Sequence, residues 1–172
     1  KSSGLPGPLT TASSVGVYVP ASIVPTANAP ALARVDGTVP SAWGVYVQGK
    51  SQVTVAVSGA GAQGSTIKKV AATIDGVTKT ATAASGSFTF DLPTAGTRTV
   101  TASVIDSRGR EQTATTTLTV IAYAPPTLTS PSAWRANSGG TKIDSGTYGA
   151  FKAIAGFASV SGKNNVSYAS SY

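Results

Sequence analysis

The sequence has no cysteine, no histidine and no methionine, and only 11% of its 172 residues are charged. Without cysteine there are no disulfides and no thiolate metal sites, so life outside a cell would have to rest on packing alone. Without histidine, imidazole chemistry is excluded. Glu, Leu, Lys and Gln, the usual helix formers, are sparse, while nineteen Gly and ten Pro interrupt the chain at short intervals. A helical domain is therefore not expected. No apolar run approaches the roughly 18 residues of a membrane span, and Lys1 to Pro20 lacks the continuous apolar region of a signal peptide. No heptad or collagen-like tract specifies an oligomer, so a homo-oligomer is left open.

What is present is strand-forming. The chain is 41% hydrophobic, mostly Ala and Val among many Thr and Ser, which suits a pleated, half-buried surface. Its net charge is +7, yet the thirteen basic residues are scattered and only Lys68 and Lys69 adjoin. Nucleic-acid readers cluster such charges and interleave aromatics with them, so no nucleic-acid partner is expected. A solvated surface is the preferred reading, with weak attraction to an anionic cell wall left open.

From Ala31 to Tyr123, apolar residues alternate with polar ones between turn signals. Val53, Val55 and Val57 share one face, and Val70, Ala72 and Ile74 repeat the pattern before Asp75-Gly76, a dipeptide suited to a tight hairpin. Val77 to Ala83 then returns. Phe88, Phe90 and Leu92 form the bulkiest inward group, followed by Val100, Ala102 and Val104 and by Thr116, Leu118 and Val120. Between those last two runs, Asp106-Ser107-Arg108-Gly109 reads as a turn in which the Asp caps backbone N–H groups.

About seven strands in about ninety residues, with no helix between them, predict an all-β fold: an antiparallel immunoglobulin-like β-sandwich. The Cys…Trp…Cys framework of antibody domains is missing, so a fibronectin-type module is the nearer expectation.

Val15, Val17 and Val19 read as the last strand of an upstream module. Residues 1–30 are thus assigned to that module's end and a proline-bearing connector, residues 31–123 to one complete module, and residues 124–172 to a second, incomplete one. Tandem modules follow from a repeat: Pro25, Thr26, Pro30 and Arg34 recur 101 residues later as Pro126, Thr127, Pro131 and Arg135. Gly44-Val45-Tyr46 matches Gly146-Thr147-Tyr148 one residue out of that register. The second copy holds material for about three strands, too little to close a core. Either the natural chain continues or a partner chain completes the sheet; the former is preferred, and the start at Lys1 fits a piece of something longer.

Residues that carry chemistry are few. Asp36, Asp75, Asp91, Asp106, Glu111 and Asp144 fall at turns or strand ends, where backbone capping outweighs paired-acid catalysis. No Asp-x-Asp string suggests calcium, and the abundant Ser and Thr lack a histidine base. The glycine-rich strings at 59–64 and 138–141 precede no helix, so hairpin loops are expected instead of phosphate loops. No catalytic residue, cofactor or metal is therefore expected, and the chain reads as non-enzymatic. Trp43 and Trp134 are the two candidates for contact with carbohydrate or a partner, with core or inter-module packing the preferred role for large aromatics.

The strings Trp43 to Ser51, Gly64 to Lys68 and Val104 to Arg110, followed by Ala122 to Pro126 and Trp134 to Thr141, resemble an Ig-like repeat domain in minor structural proteins of siphovirus tails, from phages of Gram-positive bacteria. The resemblance spans most of Trp43 to Thr141. It implies a virion role in a tail tip, baseplate, fibre or host-attachment assembly, with other virion proteins as partners, and host cell-wall polysaccharide as a further candidate. It brings no catalytic residues. Two alternatives share the same physical features: a stalk module of a bacterial surface adhesin, and a carbohydrate-binding module of a cell-wall hydrolase.

Overall fold

The computed structural model describes residues 14, 16 and 18–167, and these fold as an all-β protein without an α-helix. Val15 and Val17, assigned above to an upstream strand, lie outside the described residues. The strands are β1 (Thr26–Ala27), β2 (Ala31–Val35), β3 (Tyr46–Val47), β4 (Gln52–Ala60), β5 (Ile67–Ile74) and β6 (Val77–Ala81). They continue as β7 (Ser85–Asp91), β8 (Gly96–Asp106), β9 (Glu111–Ile121), β10 (Thr127–Ala136) and β11 (Tyr148–Gly156). In one sheet β1, β2 and β7 all pair with β4, and a second, five-stranded sheet has the order β3-β9-β8-β5-β6. All pairings are antiparallel except β3 with β9. β10 and β11 form a separate hairpin.

Local chemistry sets the tight connections. Asp75 and Gly76 both take positive φ (49° and 80°), which matches the right-handed twist of β5 and β6 and aligns Ile74 with Val77. Gly109, at φ 77°, donates its N–H to Asp106 O and closes the turn between β8 and β9. The glycine-rich 59–64 string behaves differently from the hairpin loop its composition suggests. Gly59 and Ala60 finish β4 while the rest carries the chain across to β5 in the other sheet, because the next strand inward of β4 is the nonlocal β7. Gly59 is needed there: a Cβ would sit 2.4 Å from Thr26 O, where β1 meets β4.

The two sheets share one core. Val53, Val55 and Val57 from β4, with Phe88 and Phe90 from β7, pack against Val70, Ala72 and Ile74 of β5, Val100, Ala102 and Val104 of β8, and Leu118 and Val120 of β9. Burial of each such valine favours folding by about 1.5–3 kcal/mol. Gly86 lets the sheets approach, since a Cβ there would lie 2.8 Å from the Phe88 ring and 2.9 Å from Val70.

The β10–β11 hairpin reproduces the β1, β2 and β4 pairings of that core module. Thr26 opposes Ala60 and Arg34 opposes Val53, while Thr127 opposes Gly156 and Arg135 opposes Gly149. In both copies the register slips by one residue at the same place, between Ala27 and Ala31 and between Thr129 and Ser132. Pro30 and Pro131 sit in those slips, where a residue without an N–H costs the ladder nothing. The matched tyrosines, in contrast, are not equivalent. Tyr46 belongs to β3, beside Val120, whereas Tyr148 opens β11 opposite Ala136, the place that Gln52 holds opposite Val35. The cause is a shorter link in the second copy, residues 137–147 against residues 36–51 in the first. Two strands, not three, occupy the described part of that copy.

Candidate functional site

Pro40 starts a single 3-10 turn, Ser41–Trp43, whose last N–H bonds to Pro40 O at 3.0 Å and which ends on Gly44 at φ 67°. The Arg34 guanidinium fixes this turn from beneath, donating to Ser41 O (2.9 Å) and Val45 O (3.2 Å) while pairing with Asp36 at 2.6 Å. Trp43 is thereby laid, half-buried, on a second apolar cluster whose buried members are Val39, Val47 and Val160. Val45, Ile121, Tyr123 and Ala158 complete it. Residues from the 39–47 segment, the end of β9 and the segment after β11 thus meet at one end of the core module.

Beside this cluster runs a groove bordered by Thr38, Trp43, Lys50, Tyr123 and Asn164. The Lys50 ammonium stands 5.2 Å from the centre of the Tyr123 ring, within cation–π range. Asn164 donates its side-chain N–H to Ala158 O at 2.8 Å, closing the 158–164 segment on itself beside the groove. Tyr123 is tied down from the other side, its N–H reaching Gln48 Oε1 at 3.4 Å. Tyr46, under the same arginine, has its hydroxyl pKa raised by burial, partly opposed by the Arg34 charge.

Trp134 does not line that groove. It stands half-buried in β10, opposite Ala150, and its indole N–H reaches Gly140 O at 3.3 Å. The turn it spans is capped by Asn137, whose side-chain oxygen accepts from the N–H groups of Gly139 and Thr141, both at 3.0 Å. The two tryptophans therefore serve separate places.

Of the acidic residues, Asp36 and Asp75 pair with Arg34 and Arg98, while Asp91 and Glu111 accept across strands from Gln52 and Ser103. Asp106 caps its turn, and it is buried instead of exposed. Burial pushes its pKa up, but bonds from the Arg110 N–H, the Ser65 side chain and the Arg108 N–H, with the Arg108 charge, outweigh it and hold the carboxyl below its usual range. The Arg108 and Arg110 N–H groups both lie 2.9 Å from one carboxylate oxygen. This turn also does something the sequence did not reveal. The Arg110 guanidinium reaches back to Val19 O (2.6 Å) and Ile23 O (2.8 Å) and so clamps the incoming connector to the module, while Arg108 holds the link between β4 and β5 at Gln63 O (3.0 Å) and Ala62 O. Contacts 87 and 91 residues apart carry no local signal. Among the described residues, no three His, Cys, Asp or Glu side chains gather to hold a metal, and no helix is long and apolar enough to cross a membrane.

The fold and these surfaces define an all-β protein of paired sheets, pinned at both ends by arginine and aromatic contacts. The chain belongs to a siphovirus protein family of unknown function (DUF859), whose model matches residues 9–145. It is thus a bacteriophage protein by family. Among curated proteins, none matches it.

Proposed function

We propose that this chain is a non-catalytic structural component of a siphovirus particle, placed in the tail as part of its tip, baseplate or fibre. There it acts as a stiff Ig-like spacer or host-attachment module, with other virion proteins as its partners. The observation that carries this reading is the clamping of the core module at both ends. Arg110 holds the connector that enters it, and the cluster of Trp43, Val47, Tyr123 and Val160 holds the segment that leaves it. Short proline-bearing links fixed in this way turn a string of modules into a stiff element.

The Ig-like description is supported by strand order. β4 and β7 share one sheet, β5, β8 and β9 share the other, and β3 crosses over to run parallel to β9. The absence of histidine and cysteine from the sequence supports a non-catalytic role. Mass spectrometry of gradient-purified particles tests the proposal: the chain is expected at a fixed copy number relative to the major tail protein, and its absence from particles would refute the reading.

A second reading, carbohydrate contact, is favoured by one feature, the groove in which Trp43 and Tyr123 stand beside Lys50. Aromatic faces with a cation suit a sugar or an anionic wall polymer. If Trp43→Ala and Trp134→Ala variants that keep their fold bind isolated host cell walls as tightly as the parent, this reading fails.

A further inference from the structure

The register shared by the two copies assigns a role to a surface that is otherwise unexplained. Leu32 opposite Val55 corresponds to Ala133 opposite Phe151, and Ala27 opposite Gly59 corresponds to Leu128 opposite Ala155. By this register Gly149, Phe151 and Ala153 stand where Val53, Val55 and Val57 stand in the core module. Those three valines are fully buried beneath the five-stranded sheet. Their counterparts lack that cover: Phe151 is 69% exposed, and Leu128, which stands where the partly buried Ala27 stands in the core module, is 61% exposed.

The strand edges make the same comparison. Among the described residues, the outer edge of β2 is bare, and that of β10 is covered only at its end, where Ala136 bridges Lys142 and the Ile143 N–H bonds to Arg135 O. The far edge of β4, however, is filled by β7, with Phe88 opposite Val55 and Phe90 opposite Val53. Among the described residues, β11 pairs with β10 alone. Its far edge is a nine-residue row of backbone groups flanking an exposed phenylalanine. Long bare edges of this kind are normally shielded.

We infer that the far edge of β11, with the face carrying Leu128, Ala133 and Phe151, is a docking surface for a β-strand of the β7 type. That strand alternates small or polar residues with inward aromatics and adds antiparallel to β11. The argument is continuity with an interface already complete in this molecule: the same strands, with the same one-residue slip, hold β7 in the core module. Gly149 and Ala153 flank Phe151 on that face and leave room for the incoming aromatics. The inference does not depend on the virion reading, because it uses only the internal register.

The test joins residues 84–93, which contain β7, to the C-terminus of the full chain through a flexible Gly/Ser linker of about 20 residues, giving a millimolar effective concentration. A scrambled decapeptide on the same linker is the comparison. Hydrogen exchange of the β11 amides that face away from β10 is expected to slow at least about tenfold in the β7 fusion relative to the scrambled one. Phe151→Asp should remove the difference, while the amides bonded to β10 stay protected and report that the hairpin is intact. Equal rates in the two fusions would overturn the inference. So would an unfused chain that sediments as a dimer and is dissociated by Phe151→Asp, since the surface would then serve self-association.

Discussion

Arg34 and Arg135 make the same contact in two places: each donates to the carbonyl oxygen eleven residues further on, Arg34 to Val45 at 3.2 Å and Arg135 to Gly146 at 3.0 Å. The turns they support also match, with Val39 N–H bonding to Asp36 O and Gly140 N–H to Asn137 O, both at 3.0 Å. A guanidinium that satisfies loop carbonyls, half-buried at Arg34 and more exposed at Arg135, stabilises a long connection that has no strand ladder of its own. Arg34→Ala is therefore expected to cost about 1–2 kcal/mol and to lower the Tm of the core module. Arg135→Ala should leave that transition unchanged, because distant sites act independently. Calorimetry of the two variants checks both statements.

A comparison of phenylalanines checks the assignment of core and surface. Phe90 is buried between the sheets, and Phe90→Ala should destabilise by about 3–5 kcal/mol. Phe151→Ala, on the exposed face of β11, should change stability by less than about 0.5 kcal/mol. Urea unfolding followed by tryptophan fluorescence gives both values, and similar losses would contradict the structure.

Trp43 should matter less for the core than for the junction. Half-buried, it is expected to cost about 2 kcal/mol on truncation to Ala, roughly half the cost of a fully buried Trp. The sharper readout is hydrogen exchange at Ala158 to Asn164, which should accelerate once Val160 loses the indole against which it packs.

Asp106 predicts an acid limb of stability. Its folded pKa lies below the usual carboxylate value of 3.8, so the stabilisation it contributes is present above that value and is lost as pH falls below it toward the lowered pKa. Asp106→Asn should lower the Tm at neutral pH and flatten its decline below pH 3.8. An unchanged acid limb in that variant would place the pH dependence elsewhere.

Much of the core module was legible because its signals are local. Alternation marked Val53 to Val57 as one buried face, and Asp75-Gly76 encodes its own hairpin through positive φ. The connections that failed to read are those set by partners far along the chain. The string at 59–64 has the composition of a hairpin loop, but it crosses between sheets because β4 is claimed by β2 and β7. Tyr46 and Tyr148 share a short motif yet differ in register, since a shorter link in the second copy brings β11 in earlier. The candidate site shows the same division. Trp43 was visible as a large aromatic, whereas the roles of Lys50, Tyr123 and Val160 arise only when 158–164 returns to one end of the core module. The Arg110 clamp was hidden for the same reason: the turn motif shows where the chain reverses, but not what its arginines reach.

The central claim, that this chain is built into a siphovirus tail, is tested most directly by immunogold electron microscopy of intact particles with antibodies against the core module. The account predicts gold concentrated on the tail and absent from the head. Labelling of the head alone, or particles free of gold while the protein is abundant in infected cells, would contradict it.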